Sequence, residues 1–360
     1  MAFENSSIEG EDCFMRKLVW ALSLAMVTPL VVVAESDDLK GIDPVMGNWE
    51  GDWSDANSGA SGELTAKIIA RGKGMYKALF LANVEGQDFP LEFPLKGESE
   101  KSKEFSGKID LGDERGGEAE FKFEIEDGEL EGTIKNDAVD VKLEMERTYK
   151  KPESIGAKPP EGAVVLFDGK SAEKFSQGDG KPAKWEVVDG ALRIKPGSGS
   201  IVSKDKFDNQ QLHIEFRTPF LPLMRGQGRG NSGVYVGGNF EIQVLDSFGE
   251  EPKDNEAGGI YKVSVPKENA SLPPGEWQAY DITYFAPKTD ASGKVTEPGE
   301  ITVVYNGTPI HEKLAVTGPT AGGIGTDIGK PNPLMLQDHG NLVEFRNIWI
   351  KPIPPKGDAK

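Results

Sequence analysis

From residue 44 onward the chain is a succession of short runs in which polar and apolar residues alternate, each run roughly five to nine residues long and closed by a turn rich in Gly or Pro. "AEFKFEIEDGELEGTIK" and "EITVVYNGTPIHEKL" are typical. Strict alternation puts every second side chain on one face of an extended strand, so each run suits a strand with one wet face and one dry face. The 44 Gly and 24 Pro fall between these runs rather than inside helical repeats. Asp127-Gly128 and Asn306-Gly307 are hairpin signals, because a type I′ turn needs positive φ at both central residues. The chain is therefore expected to be all-β.

At 360 residues the sequence is long enough for two cores. Residues 44–150 suit a smaller antiparallel β-barrel or sandwich, in which Trp49 and Trp53 read as core plugs. "KKPESIGAKPPEG" has no apolar periodicity and reads as a semi-extended linker covering 151–160. Residues 161–353 hold ten or more strand candidates with no helical segment between them. That implies two sheets packed face to face, a concanavalin A-like jelly-roll β-sandwich with one curved sheet on which polar groups can gather. Residues 354–360 are a tail.

The formal net charge of -18 argues against nucleic acid as a partner, since phosphate binding needs a basic surface. From Met15, "MRKLVWALSLAMVTPLVVVA" has a basic start, an apolar run and small residues at its end, the pattern of a signal peptide cleaved after Ala34. Residues 1–14 then read as an over-extended start, and they hold Cys13, the one cysteine. The expectation is a secreted or periplasmic protein with no stable membrane span after cleavage and no disulfide.

Within the second domain, "VVLFDGKSAEKF", "WEVVDGALRI", "IVSKDKFDNQQLHIEFRTP", "GRGNSGVYVGGNFEIQVLDSFG", "GEWQAYDITY", "VVYNGTPI" and "LQDHGNLVEFRNIWIKPI" occur in an order that resembles the 3-keto-disaccharide hydrolase domain family. The resemblance covers nearly all of 161–353 and implies a carbohydrate substrate, a glycoside oxidised to a ketone at C3. Such a ketone acidifies the C2 hydrogen, so that loss of this proton lets the C1 oxygen leave by β-elimination. Water then adds back, for a net hydrolysis. This route asks for a base, a donor to the enolate oxygen and an acid for the leaving sugar, unlike the carboxylate pair of ordinary glycoside hydrolysis.

In "NFEIQVLD" alternation sets Phe240, Ile242, Val244 and Asp246 on one face and Glu241, Gln243 and Leu245 on the other. With the first set toward the core, Glu241 is the candidate base and Gln243 a substrate-binding amide. His339, in "LQDHG" between Gln337, Asp338 and a Gly, is the second catalytic candidate because imidazole titrates near neutrality. Asn231, Asp246, Tyr261, Gln337, Asp338 and Arg346 complete the expected substrate-binding set, Arg346 as a guanidinium that could hold a sugar oxygen or fasten the last strand. His213 and His311 read as ordinary strand residues. Glu241, Asp246 and His339 are ligand types suited to a divalent metal, though without a recognisable spacing, and no other cofactor is expected. The same fold supports sugar-binding lectins and structural modules of the cell envelope, so these functions stay open beside the enzyme.

Overall fold

A computed structural model describes residues 43–84, 86–98, 103–325 and 327–356. The predicted signal peptide, Cys13 and the end of the tail lie outside these residues. Eight antiparallel strands come first: β1 (Gly47–Asp55), β2 (Ser61–Gly72), β3 (Met75–Val84), β4 (Gln87–Lys96), β5 (Glu104–Asp110), β6 (Glu118–Glu126), β7 (Glu129–Lys135) and β8 (Asp140–Thr148). They lie in the order β4-β3-β2-β1-β8-β7-β6-β5, and β4 comes against β5 to give a nearly closed barrel. In β6 the alternation is complete: Ala119, Phe121, Phe123 and Ile125 are buried while the Glu and Lys between them are exposed. Phe93 meets Phe80 and Phe121 edge to face at centroid separations of 5.0 and 5.2 Å, an arrangement that suits the ring quadrupole. Trp49 and Trp53 are both in this core.

The remaining strands form a sandwich. In chain order they are β9 (Val164–Phe167), β10 (Phe175–Gln177), β11 (Glu186–Val188), β12 (Ala191–Arg193), β13 (Ile201–Phe207), β14 (Gln210–Arg217), β15 (Ser232–Val236), β16 (Phe240–Val244) and β17 (Gln278–Phe285). A two-stranded ribbon of β18 (Lys288–Thr289) and β19 (Val295–Glu297) follows, then β20 (Gly299–Tyr305), β21 (Thr308–Val316), β22 (Asn332–Leu336) and β23 (Glu344–Pro352). One sheet has the order β10-β13-β22-β15-β16; the larger runs β11-β12-β23-β14-β17-β20-β21, with β9 also paired to β23. Val234, Phe240, Ile242, Val244 and Leu336 from the small sheet meet Leu212, Ile214, Phe216, Ile282 and Ile350 from the large one in a single core. The two hairpin turns read from the sequence are present, with Asp127, Gly128, Asn306 and Gly307 all at positive φ.

Two details depart from the sequence reading. The stretch read as a linker is docked: it turns at 153–156, and Gly156 N donates to Glu215 Oε1 while Ala157 O accepts from Asn347 Nδ2. Phe248, just beyond β16, belongs to the barrel's core rather than the sandwich's and is fully buried there. Burying such a ring stabilises by about 1.5–3 kcal/mol, so this contact ties the two cores together. Among the described residues no helix is long and apolar enough to cross a membrane.

Candidate active site

The outer face of the small sheet carries polar groups that its inner face could not. β15 and β16 are joined by Gly237, Gly238 and Asn239, with both glycines in the left-handed region, a backbone that tight hairpins require and L side chains resist. This turn fixes the register that sets Tyr235 opposite Glu241 and Gly233 opposite Gln243. With Val234, Val236, Phe240, Ile242 and Val244 committed to the core, Gly233, Tyr235, Glu241 and Gln243 share the outer face. Gln337, just past β22, joins them, its backbone N donating to Gly233 O.

Gly233 has no side chain, and the Glu241 carboxylate and the Tyr235 ring fill the notch this leaves at the centre of the face. A Cβ there would lie 2.5 Å from Glu241 Oε1 and 2.8 Å from Tyr235 Cε2, so any side chain would displace the carboxylate or the ring. Around the notch, Tyr235 Oη donates to Glu241 Oε2 at 2.8 Å and accepts from Gln337 Nε2 at 3.0 Å. The Gln243 amide spans two neighbours. In one orientation its nitrogen donates to Gln227 Oε1 at 2.9 Å; in the other it donates to Glu241 Oε1 at 3.1 Å and Ser232 O at 2.9 Å. Asn231 Nδ2 donates to Gln227 O and Oε1 at 3.0 and 3.1 Å, while the Asn231 Oδ1 and Gln337 Oε1 atoms are buried and have no partner among the described residues. The free edge of β16 is covered by two segments: Tyr261 N donates to Glu241 O, and Glu241 N donates to Thr320 Oγ1.

Glu241 is 3% exposed and faces a phenol and amides, with no cation bonded to it. Burial lifts its pKa from the usual carboxylate range to about 7, and the Tyr235 hydrogen bond only partly opposes the rise. Burial, then the Glu241 charge, pushes the Tyr235 phenol upward as well. A carboxyl poised near neutrality beside an un-ionised phenol can accept a proton from a weak carbon acid and return one to an oxygen.

The structure gathers Glu241, Gln243, Asn231, Gln337 and Tyr261, the last half-buried beside the face. His339 is exposed, in a turn between Gln337 and Asn341, whose Oδ1 accepts from Asn231 N at 2.7 Å. Three expectations need correction. Asp338 spends its carboxylate on the turn itself, accepting from Gly199 N and Gly340 N at 2.9 Å each. Asp246 does not follow the alternation, because β16 ends at Val244 and Leu245 packs into the sandwich core; the Asp246 carboxylate instead pairs with Arg229 at 2.7 Å in the interior. Arg346 is on the outer face of the large sheet, across the whole core from Glu241. It donates to Glu215 Oε2 at 2.6 Å and lies over the Trp277 ring at 4.0 Å.

That second face holds a closed charge cluster. His213, which the sequence reads as an ordinary strand residue, bonds Asp281 through Nδ1 at 2.7 Å and stacks on Trp349. Burial pulls the His213 pKa down, but the bonds to Asp281 and Glu215 outweigh it and raise it to about 9. Burial likewise works to raise the Glu215 pKa, yet His213, Asn347, Gly156 N and Arg346 together lower it to about 2. Asp246, held by Arg229, is not free to join Glu241 and His339 around a metal, and no three His, Cys, Asp or Glu side chains gather as a metal site among the described residues. Tyr235, Gly233 and Gln227 are site residues that the sequence reading missed.

The fold and the site together define a two-sheet β-sandwich with a buried, neutral-leaning carboxyl on the outer face of its smaller sheet. The family described as the 3-keto-alpha-glucoside-1,2-lyase-like domain matches residues 162–351, and the chain belongs to that family. A crystal structure of a candidate glycosyl hydrolase from Parabacteroides distasonis is 37% identical, with a TM-score of 0.50, over 54% of this chain and 85% of that one. A second candidate glycosyl hydrolase from the same organism is 22% identical, with a TM-score of 0.40, over 54% of this chain and 95% of that one. No curated protein matches the chain.

Proposed function

We propose that the sandwich cleaves glycosides whose glucose ring bears a ketone at C3. Glu241 takes the C2 proton, and the C2–H electron pair becomes the enolate. The enolate then collapses to restore the C3 carbonyl and form the C1=C2 double bond, as the C1 oxygen leaves and gains a proton. Addition of water across that double bond completes a net hydrolysis. Gln243, whose amide reaches Glu241 Oε1 in one orientation, is the donor for the enolate oxygen, and the Tyr235 hydroxyl, bonded to Glu241 Oε2, is the acid toward the leaving oxygen. One observation carries the reading: a buried carboxyl, its pKa lifted to about 7 by burial, packs beside a phenol into the notch that a glycine provides. The family description supports the substrate class.

A second reading, sugar binding without chemistry, is favoured by the three neutral amides of Asn231, Gln243 and Gln337, which suit hydroxyl groups. The full chain incubated with a 3-keto-α-glucoside, with the released alcohol followed over time, separates the two. Release that disappears in Glu241→Gln while binding persists supports the enzyme; binding without release by the native protein leaves the lectin. We further infer export to the periplasm or medium from the basic start and apolar run of residues 15–34.

A further inference from the structure

The barrel makes contact with the sandwich at the end of β2, and the segments it touches lead directly to the site. Ile69 packs against Gly249, where a Cβ would come within 2.2 Å of its Cδ1. Arg71 Nη1 donates to Glu250 Oε1 at 3.0 Å; the same oxygen accepts from Arg229 Nη1 at 3.3 Å, and Arg229 holds Asp246 just past β16. Arg225 Nη2 reaches back to Arg71 O at 3.0 Å, from the other end of the loop. Between Arg225 and Arg229 stands Gln227, whose side chain bonds Asn231, Gln243 and, at 2.7 Å, Asn255 O.

We propose that the barrel is a positioning element of the site: the β2 end clamps residues 225–229 from both sides and so sets Gln227, which in turn orients the Gln243 and Asn231 amides. This deepens the reading above and rests on it for the kinetic readout. A loop with three Gly, at 226, 228 and 230, has little stiffness of its own, so an external seat is what gives its one amide a fixed direction. Arg71 touches no reacting atom and acts only through the loop.

The test uses the full chain with Arg71→Ala, Arg71→Lys and, cutting the clamp from the loop side, Arg225→Ala. Amide hydrogen exchange is measured for residues 226–231, with kcat and KM on methyl 3-keto-α-glucoside, and Trp fluorescence checks that the barrel is folded. Arg71→Ala and Arg225→Ala are expected to speed exchange in 226–231 and raise KM about five- to tenfold with kcat within about twofold, the net size of one ordinary hydrogen bond. Arg71→Lys recovers part of both. Unchanged exchange and KM in folded Arg71→Ala and Arg225→Ala overturn the proposal. If no protein turns the substrate over, the lyase reading fails by itself, and the exchange data still decide the role of the barrel.

Discussion

Two buried polar clusters occupy the outer faces of the two sheets, and they solve the same physical problem in opposite ways. On the large sheet Glu215 is fully paired, bonded by Arg346, Asn347, Gly156 N and the His213 ring, and its pKa falls to about 2. On the small sheet Glu241 has a phenol and an amide for company, and its pKa rises to about 7. A buried carboxylate surrounded by cations stays charged and becomes a fastening; one surrounded by neutral dipoles gives up its charge readily and becomes a base. Burial alone therefore does not mark a site.

Paired substitutions give the sharpest way to break this contrast. Glu241→Gln removes the carboxylate from the notch, and turnover is expected to fall about a thousandfold, within the range of general-base deletions, while the melting temperature holds or rises. Glu215→Ala leaves the buried His213 and the half-exposed Arg346 without their shared partner, which should cost about 3 kcal/mol in urea unfolding while the folded fraction keeps its kcat. If Glu215→Ala abolished turnover in folded protein, or Glu241→Gln only destabilised, the roles of the two faces would be exchanged.

How much of this contrast the sequence carries depends on what alternation can report. It tells which side of its own strand a residue takes, and on β16 it correctly separates Glu241 and Gln243 from Phe240, Ile242 and Val244. It cannot tell which sheet the strand joins, which is why Arg346, read as either holding a sugar oxygen or fastening the last strand, lies on the face opposite Glu241 and does the second. Nor does it hold past a strand's end, as Asp246 shows. Tyr235 was within reach: centring the hairpin on Gly238, with Gly237 and Asn239 on either side, sets it opposite Glu241. Arg229 and Gln227 were not, since their roles arise from a loop held by a separate barrel.

The notch offers a finer cut. Gly233→Ala would place a methyl 2.5 Å from Glu241 Oε1, and the carboxylate must move to admit it. A displacement near 1 Å at a reacting group lowers kcat about a hundredfold. The same substitution should leave the urea midpoint close to native, because it touches neither core, and a crystal structure of the variant would show the shifted Glu241. Unchanged kcat would mean that the reacting atoms sit elsewhere on the face.

Acidity separates the two clusters by the smallest but most diagnostic margin, against a background in which burial also lifts Glu276 from 4.5 to about 8, so that it too loses its contribution to stability as pH climbs. Glu241 must be ionised to act, so kcat/KM should fall about tenfold per pH unit below its pKa of about 7. Stability should move the other way. A carboxyl whose folded pKa is raised from 4.5 to about 7 binds more protons folded than unfolded, so its contribution declines as pH climbs through that window. His213, raised from 6.5 to about 9, contributes fully below 6.5 and loses that contribution as pH rises through 9. Glu215, lowered from 4.5 to about 2, keeps its contribution at every pH above 4.5 and surrenders it only as pH falls through 2. Between pH 5.5 and 8.5, then, the protein should melt at a higher temperature at the acid end and turn over faster at the alkaline end. Thermal melts and initial rates in one buffer series decide it, and the Glu241→Gln variant should flatten part of the stability slope while His213 and Glu276 keep the rest.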